Sequence, residues 1–181
     1  MNIAVICFTE HGAVLAERLS KKFSEREMTC RAWIKKKETQ IPDCRNVQVL
    51  TQSLRDWAKE QFAVVDAMIF VGATGIAVRS IAPYVRSKKT DPAVIVVDEQ
   101  GRHAISLLSG HIGGANELTL LVAELTGAEP PGIRMDRCRA GDHDGHRSSW
   151  KICGGCICSQ KGSLHRFHAT GKGDRCSAGG R

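Results

Sequence analysis

Two runs, Ala67–Val71 (AMIFV) and Ala93–Val97 (AVIVV), contain no polar side chain. A strand with one wet face alternates apolar and polar residues, so an unbroken apolar, β-branched run predicts a strand covered on both faces. Such strands belong to largely parallel sheets with helices above and below. Asn2–Thr9 (NIAVICFT) reads the same way, and Thr29–Ile34 (TCRAWI) is a further strand. Between them, His11–Phe23 carries Val14, Leu15, Arg18, Leu19 and Lys22 at helical spacing, with one apolar and one charged face. Leu54–Phe62 sets Leu54, Trp57, Ala58 and Phe62 along one side of another helix. After Val97, Asp98–Gly101 (DEQG) predicts a turn that sends the chain back through His103–Leu107. Gly110–Gly114 then opens a helix over Ala115–Leu125, stopped by Gly127 and Pro130. Strands alternating with helices predict an α/β layered domain: a mostly parallel sheet, flanking helices and one hairpin. The basic run Lys35–Lys37 reads as a solvated edge.

The chain's formal charge of +7 suggests an anionic macromolecular partner until it is divided along the sequence. Residues 1–130 hold 16 Lys and Arg against 15 Asp and Glu, whereas residues 131–181 hold 10 against 4. Five of the eight cysteines and four of the seven histidines also follow Pro130. The composition therefore breaks at Pro130, and the basicity belongs to the tail and says nothing about the body's partner. Two regions are expected: an α/β body, 1–130, and a basic Cys/His/Gly-rich tail, 131–181, irregular or disordered. No apolar run reaches the roughly 18–20 residues of a membrane helix. Glu10 and His11 interrupt the N-terminal apolar stretch, so neither membrane partner nor signal peptide is expected. A cytoplasmic location follows, with cysteines as thiols or metal ligands in place of disulfides.

Two glycine-rich turns carry chemical interest. In V71-G-A-T-G-I-A-V-R79, a strand runs into a helix start whose free amides suit a carboxylate or phosphate, with Thr74 as a possible cap. Gly72 and Gly75 lack the G-x-G-x-x-G spacing of a dinucleotide fingerprint. Arg79, about one helical turn beyond Gly75, is placed to pair with the same anion. The plainer alternative is a tight turn and a surface arginine. In S109-G-H-I-G-G-A-N-E117, Gly110, Gly113 and Gly114 permit close backbone approach, while His111, Asn116 and Glu117 bring a titratable base, an amide and a carboxylate to a helix mouth. Here the plainer alternative has Ser109 or Asn116 capping and Glu117 favouring the positive helix end. Both turns follow strands, so both are expected to face the crevice where doubly wound sheets bind ligands.

The stretch FVGATGIAVRSIAPYVRSKKTDPAVIVVDEQGRHAISLLSGHIGGANELTLLVAELTGAEP, Phe70 to Pro130, closely resembles the N-terminal domain of the cobalt-precorrin-5A hydrolases of anaerobic cobalamin (vitamin B12) biosynthesis. A weaker match in element order covers Asn2–Asp66. The resemblance implies a hydrolase that opens a δ-lactone on a corrinoid and releases a two-carbon fragment as acetaldehyde. It implies no resident cofactor, since cobalt travels with the small-molecule substrate, and no nucleic-acid partner. Gly72, Thr74, Gly75, Arg79, Arg102, Ser109, Gly110, Gly113, Gly114 and Asn116 become candidate contacts to its carboxylates or developing oxyanion. Glu117 and His111 become candidate bases. Oligomeric state is left open.

Past Pro130 the family pattern expects text like P-V-I-T-T-A-T-D, which this chain lacks. Gly141–Arg147 (GDHDGHR) can be written GGT-GAT-CAC-GAC-GGC-CAC-CGA, and the next frame then reads V-I-T-T-A-T-D once a T follows. The tail is thus expected to be family coding sequence out of register, and the chain an incomplete or inactive fragment. Cys153, Cys156 and Cys158 with His143 and His146 resemble a zinc cluster superficially, but Cys138 and Cys176 stand as singletons and no second pair completes it, so no functional metal site is expected. Two other readings compete: a non-catalytic corrinoid- or anion-binding module, and a zinc-dependent nucleic-acid binder centred on the tail.

Overall fold

The computed structural model describes residues 1–35 and 44–129, and the backbone of two short strands in the tail. The body runs β1 (Asn2–Cys7), α1 (Glu10–Ser24), β2 (Thr29–Ile34), β3 (Val47–Val49), α2 (Leu54–Val64), β4 (Ala67–Val71), α3 (Thr74–Ile81), a 3₁₀ turn (Ala82–Tyr84), β5 (Ala93–Val97), β6 (Ala104–Leu108) and α4 (Ala115–Thr126). Its strands form one sheet in the order β3-β2-β1-β4-β5-β6. All pairings are parallel except β5 with β6, the hairpin expected from DEQG.

The unbroken apolar strands do what their composition requires. β4 and β5 are buried at every residue. On one face Ala4, Ile6, Met68, Phe70, Val94 and Val96 pack with Trp57 and Ala58 of α2 and Ala77 and Ile81 of α3. Trp57 meets Trp33 and Phe70 edge to face, with ring centroids 5.7 and 5.9 Å apart. The alternate residues, among them Val5, Cys7, Ile69, Val71 and Ile95, point to the other face, which α1 and α4 cover. Burying a large aromatic such as Trp57 is worth several kcal/mol, since its removal typically costs about 3–5 kcal/mol.

Four details depart from the sequence reading. β3 was missed, because three residues of Val-Gln-Val pattern are too short to register as a period. Val14, expected on the apolar face of α1, is 58% exposed. Small Gly12, Ala13 and Ala16 bring α1 onto the sheet and turn Val14 outward. Lys35 is anchored at a sheet end, its Nζ donating to the carbonyls of Leu50 at 3.3 Å and Gln52 at 2.6 Å; Lys36 and Lys37 lie outside the described residues. In the tail, Lys151–Cys153 and Cys156–Cys158 form an antiparallel hairpin, Ile152 opposite Ile157, where irregular chain was expected. The chain divides into two compact units, Met1–Asp144 and Gly145–Arg181. No helix among the described residues is long and apolar enough to cross a membrane.

Candidate functional site

In a sheet ordered 3-2-1-4-5-6 the chain leaves β1 toward one side and β4 toward the other, so a crevice opens between their carboxyl ends. The first glycine motif sits there. Gly72 follows β4 with φ +151°, and a Cβ on it would lie 3.1 Å from the Phe8 ring beyond β1. Only glycine takes this backbone without strain and lets the two loops approach. Thr74 is the first residue of α3 and not its cap; the cap position is Ala73, with no side-chain hydrogen bond. The Ile76 amide is bound to the Ala73 carbonyl at 3.0 Å, which leaves the amides of Thr74 and Gly75 at the open helix end. Arg79 is exposed and folds back along the helix, its Nη1 donating to the Gly75 carbonyl at 3.3 Å. The guanidinium therefore lies against Gly75, in the first turn of the helix.

Two residues that sequence reasoning passed over complete this edge. The Thr9 hydroxyl accepts from the Gly12 amide at 3.1 Å, capping α1, and donates to Glu99 Oε2 at 2.5 Å. Thr9 follows β1 and Glu99 follows β5, so this bond crosses the end of β4. Only the strand order could reveal it, since the two residues are far apart in sequence. Asp98 closes the same hairpin, its carboxylate accepting from the amides of Gln100, Arg102 and His103. Arg102 is exposed at that turn.

The second motif lies elsewhere. β6 runs antiparallel, Leu108 opposite Val94 and Ala104 opposite Val97, so Ser109–Gly114 emerges beside the start of β5. At about 3.3 Å per residue, the five-residue strands separate the two motifs by roughly 16 Å. They do not share the crevice, contrary to the expectation, because one follows a parallel strand and the other its antiparallel partner. The loop is built on internal bonds. Ser109, buried and at φ +58°, donates its hydroxyl to the Asp91 carbonyl at 3.1 Å. Its own carbonyl accepts from the Ala115 amide at 3.2 Å, and that of Gly110 accepts from the Asn116 amide at 3.0 Å. Gly113 packs on Ser109 so closely that a Cβ would meet the Ser109 carbonyl oxygen at 2.8 Å. Gly114 is the helix cap, at φ +80°, so neither Ser109 nor Asn116 caps α4 by its side chain.

Glu117 stands in the first turn of α4, and its Oε2 is buried with no hydrogen-bond partner. A dry polar atom costs roughly 1–3 kcal/mol, more when charged, which marks it as an acceptor waiting for a donor. His111 is exposed and shares no hydrogen bond with it. Among the described residues no group of three or more His, Cys, Asp or Glu side chains could hold a metal ion. His143, His146, Cys138 and Cys176 lie outside those residues. Cys7 and Cys30 are pushed up to about 12 by burial, so neither is a ready thiolate.

A mostly parallel sheet whose strand order reverses between β1 and β4, with helices on both faces, defines a doubly wound α/β domain. The comparisons are more particular. Residues 56–131 match the cobalamin synthesis G N-terminal family, and this part of the chain belongs to it. The chain is similar to a cobalt-precorrin-5A hydrolase of Salmonella typhimurium, 45% identical over 130 residues, 71% of this chain and 34% of the relative. It is also similar to a cobalt-precorrin-5A hydrolase of Priestia megaterium, 39% identical over 129 residues, with the same coverages. The fold matches the crystal structure of a cobalamin biosynthesis protein G homologue from Sulfolobus solfataricus, with a TM-score of 0.57 and 22% identity over 72% of this chain and 36% of that one. The chain thus spans about a third of the length of the curated relatives it matches.

Proposed function

We propose that this chain carries a corrinoid-binding, lactone-opening part of a cobalt-precorrin-5A hydrolase acting in the cytoplasm. The observation that carries the catalytic reading is the orphan Oε2 of Glu117, in the first turn of α4 just after the second glycine motif. Lactone hydrolysis needs a group to take a proton from water as its oxygen adds to the carbonyl carbon, and then to return one to the alkoxide when the ring C–O bond breaks. A partly buried carboxylate with a vacant acceptor suits both steps, with exposed His111 as the second candidate. The Gly113 and Gly114 amides are the oxyanion donors in this reading. At the opposite edge, Thr74, Gly75 and Arg79, with Arg102 on the hairpin, bind carboxylate arms of the macrocycle.

The test adds cobalt-precorrin-5A to the purified chain and follows visible absorbance and acetaldehyde together. Release of acetaldehyde, lost in Glu117→Gln, is the expected result. A spectral change without acetaldehyde makes the chain a non-catalytic corrinoid-binding module. No spectral change and no acetaldehyde removes the proposal. We also propose that the tail is family coding sequence read one base out of register. Its support is that the family match ends at residue 131, where the composition breaks. Resequencing the codons for Glu129–Gly145 decides it, because bases unable to spell Val-Ile-Thr-Thr in the next frame exclude the shift.

A further inference from the structure

We infer that the apolar groove between α3 and β6 receives the flat body of a polycarboxylate macrocycle, and that Arg86, Lys88 and Lys89 form its cationic rim. The groove encloses about 310 Å³ and is lined by Val78, Ile81, Ala82, Val85, Leu107 and Leu108. Val78 and Val85 are 44% and 43% exposed, so apolar surface here stays open to water. No polar residue lines it, which suits a broad hydrocarbon surface in place of a hydrogen-bonding one.

What identifies the occupant is the charge beside it. Val85 leads straight into Arg86-Ser87-Lys88-Lys89, all exposed. This loop is pinned against the groove at both ends. The Arg86 and Ser87 amides donate to the buried Asp91 carboxylate at 2.8 and 2.9 Å. The Asp91 carbonyl in turn accepts from Ser109, the residue following Leu108 of the groove. The loop's one carboxylate is thereby held by backbone amides, and among the described residues none of the three cations is in an ion pair. An apolar floor with a cationic rim selects a ligand that is flat and apolar at its centre and anionic at its edge. The inference rests on the corrinoid reading above and adds to it a binding surface on the α3 side of the sheet, near the second glycine motif.

The experiment titrates the full chain with cobyrinic acid, whose carboxylates are free, and with its neutral methyl ester, reading visible absorbance at two salt concentrations. The acid is expected to bind at least tenfold more tightly than the ester and to weaken as salt rises. The triple variant Arg86→Glu, Lys88→Glu, Lys89→Glu should lose at least tenfold on the acid and little on the ester. Val78→Glu should weaken both. All four positions are exposed, and a thermal melt checks that each variant folds. Cobyrinic acid binding that Arg79→Glu weakens and these variants leave unchanged overturns the groove while keeping the corrinoid reading. Absence of binding by either probe overturns both. A wild-type dimer that Val78→Glu dissociates in sedimentation, without change in corrinoid affinity, assigns the groove to a second copy and also overturns the inference.

Discussion

Replacing Gly113 by alanine should loosen the second glycine loop, by an amount the geometry sets. The new Cβ would stand 2.8 Å from the Ser109 carbonyl oxygen and closer still to the Ser109 Cβ, and real Cβ atoms do not approach so near. The carbonyl is backbone, so relief requires Ser109 or Gly113 to move. Ser109 is held on one side by its 3.1 Å bond to the Asp91 carbonyl and on the other by the 3.2 Å bond from the Ala115 amide. Losing those two bonds costs about 1 kcal/mol each, and overpacking in a fixed site a further 1–3 kcal/mol. The expected loss is therefore about 3–5 kcal/mol. With a urea m-value of about 2 kcal/mol/M, the midpoint of denaturation should fall by roughly 1.5–2.5 M at unchanged slope. A midpoint within about 0.2 M of wild type would refute the claim that this glycine is required by close packing.

Other outcomes follow from single contacts. Thr9→Val removes both the α1 cap and the bond to Glu99 and should cost about 1–2 kcal/mol by chemical denaturation, while Thr9→Ser should recover most of it. Trp57→Ala should cost about 3–5 kcal/mol, whereas Trp57→Phe should cost less than a normal core truncation, since Trp57 Nε1 is buried without a partner. Cys7 and Cys30 are raised from 9.0 to about 12 in the folded chain, so unfolded thiols lose protons first as pH climbs. Their stabilising contribution is complete below pH 9 and should decline between pH 9 and 12, seen as a falling melting temperature that Cys7→Ala with Cys30→Ala reduces. In alkylation at pH 8, peptides bearing Cys7 and Cys30 should remain unmodified until denaturant is added.

Much of the body was legible because its signals are local. Ala67–Val71 and Ala93–Val97 are observed at the bounds their composition suggested, since a run without polar atoms has no wet face to offer. Leu54, Trp57 and Ala58 mark the inner side of α2 through helical periodicity alone. The start of α3 just after Gly72 was also readable, because a glycine-rich turn after a buried strand opens a helix there.

Tertiary structure decided the rest, and it did so through strand order and direction. That β6 turns back was evident from DEQG, but its consequence, placing Ser109–Gly114 at the opposite edge from Gly72, appears only when β5 and β6 are aligned residue by residue. The Thr9–Glu99 bond, the knot of Asp91 with Ser109, and the groove bounded by Val78 and Leu108 all join residues from separate elements. Periodicity reports which face of an element is apolar. It carries no information about which neighbour covers that face, because that choice is made by packing between segments remote in the chain.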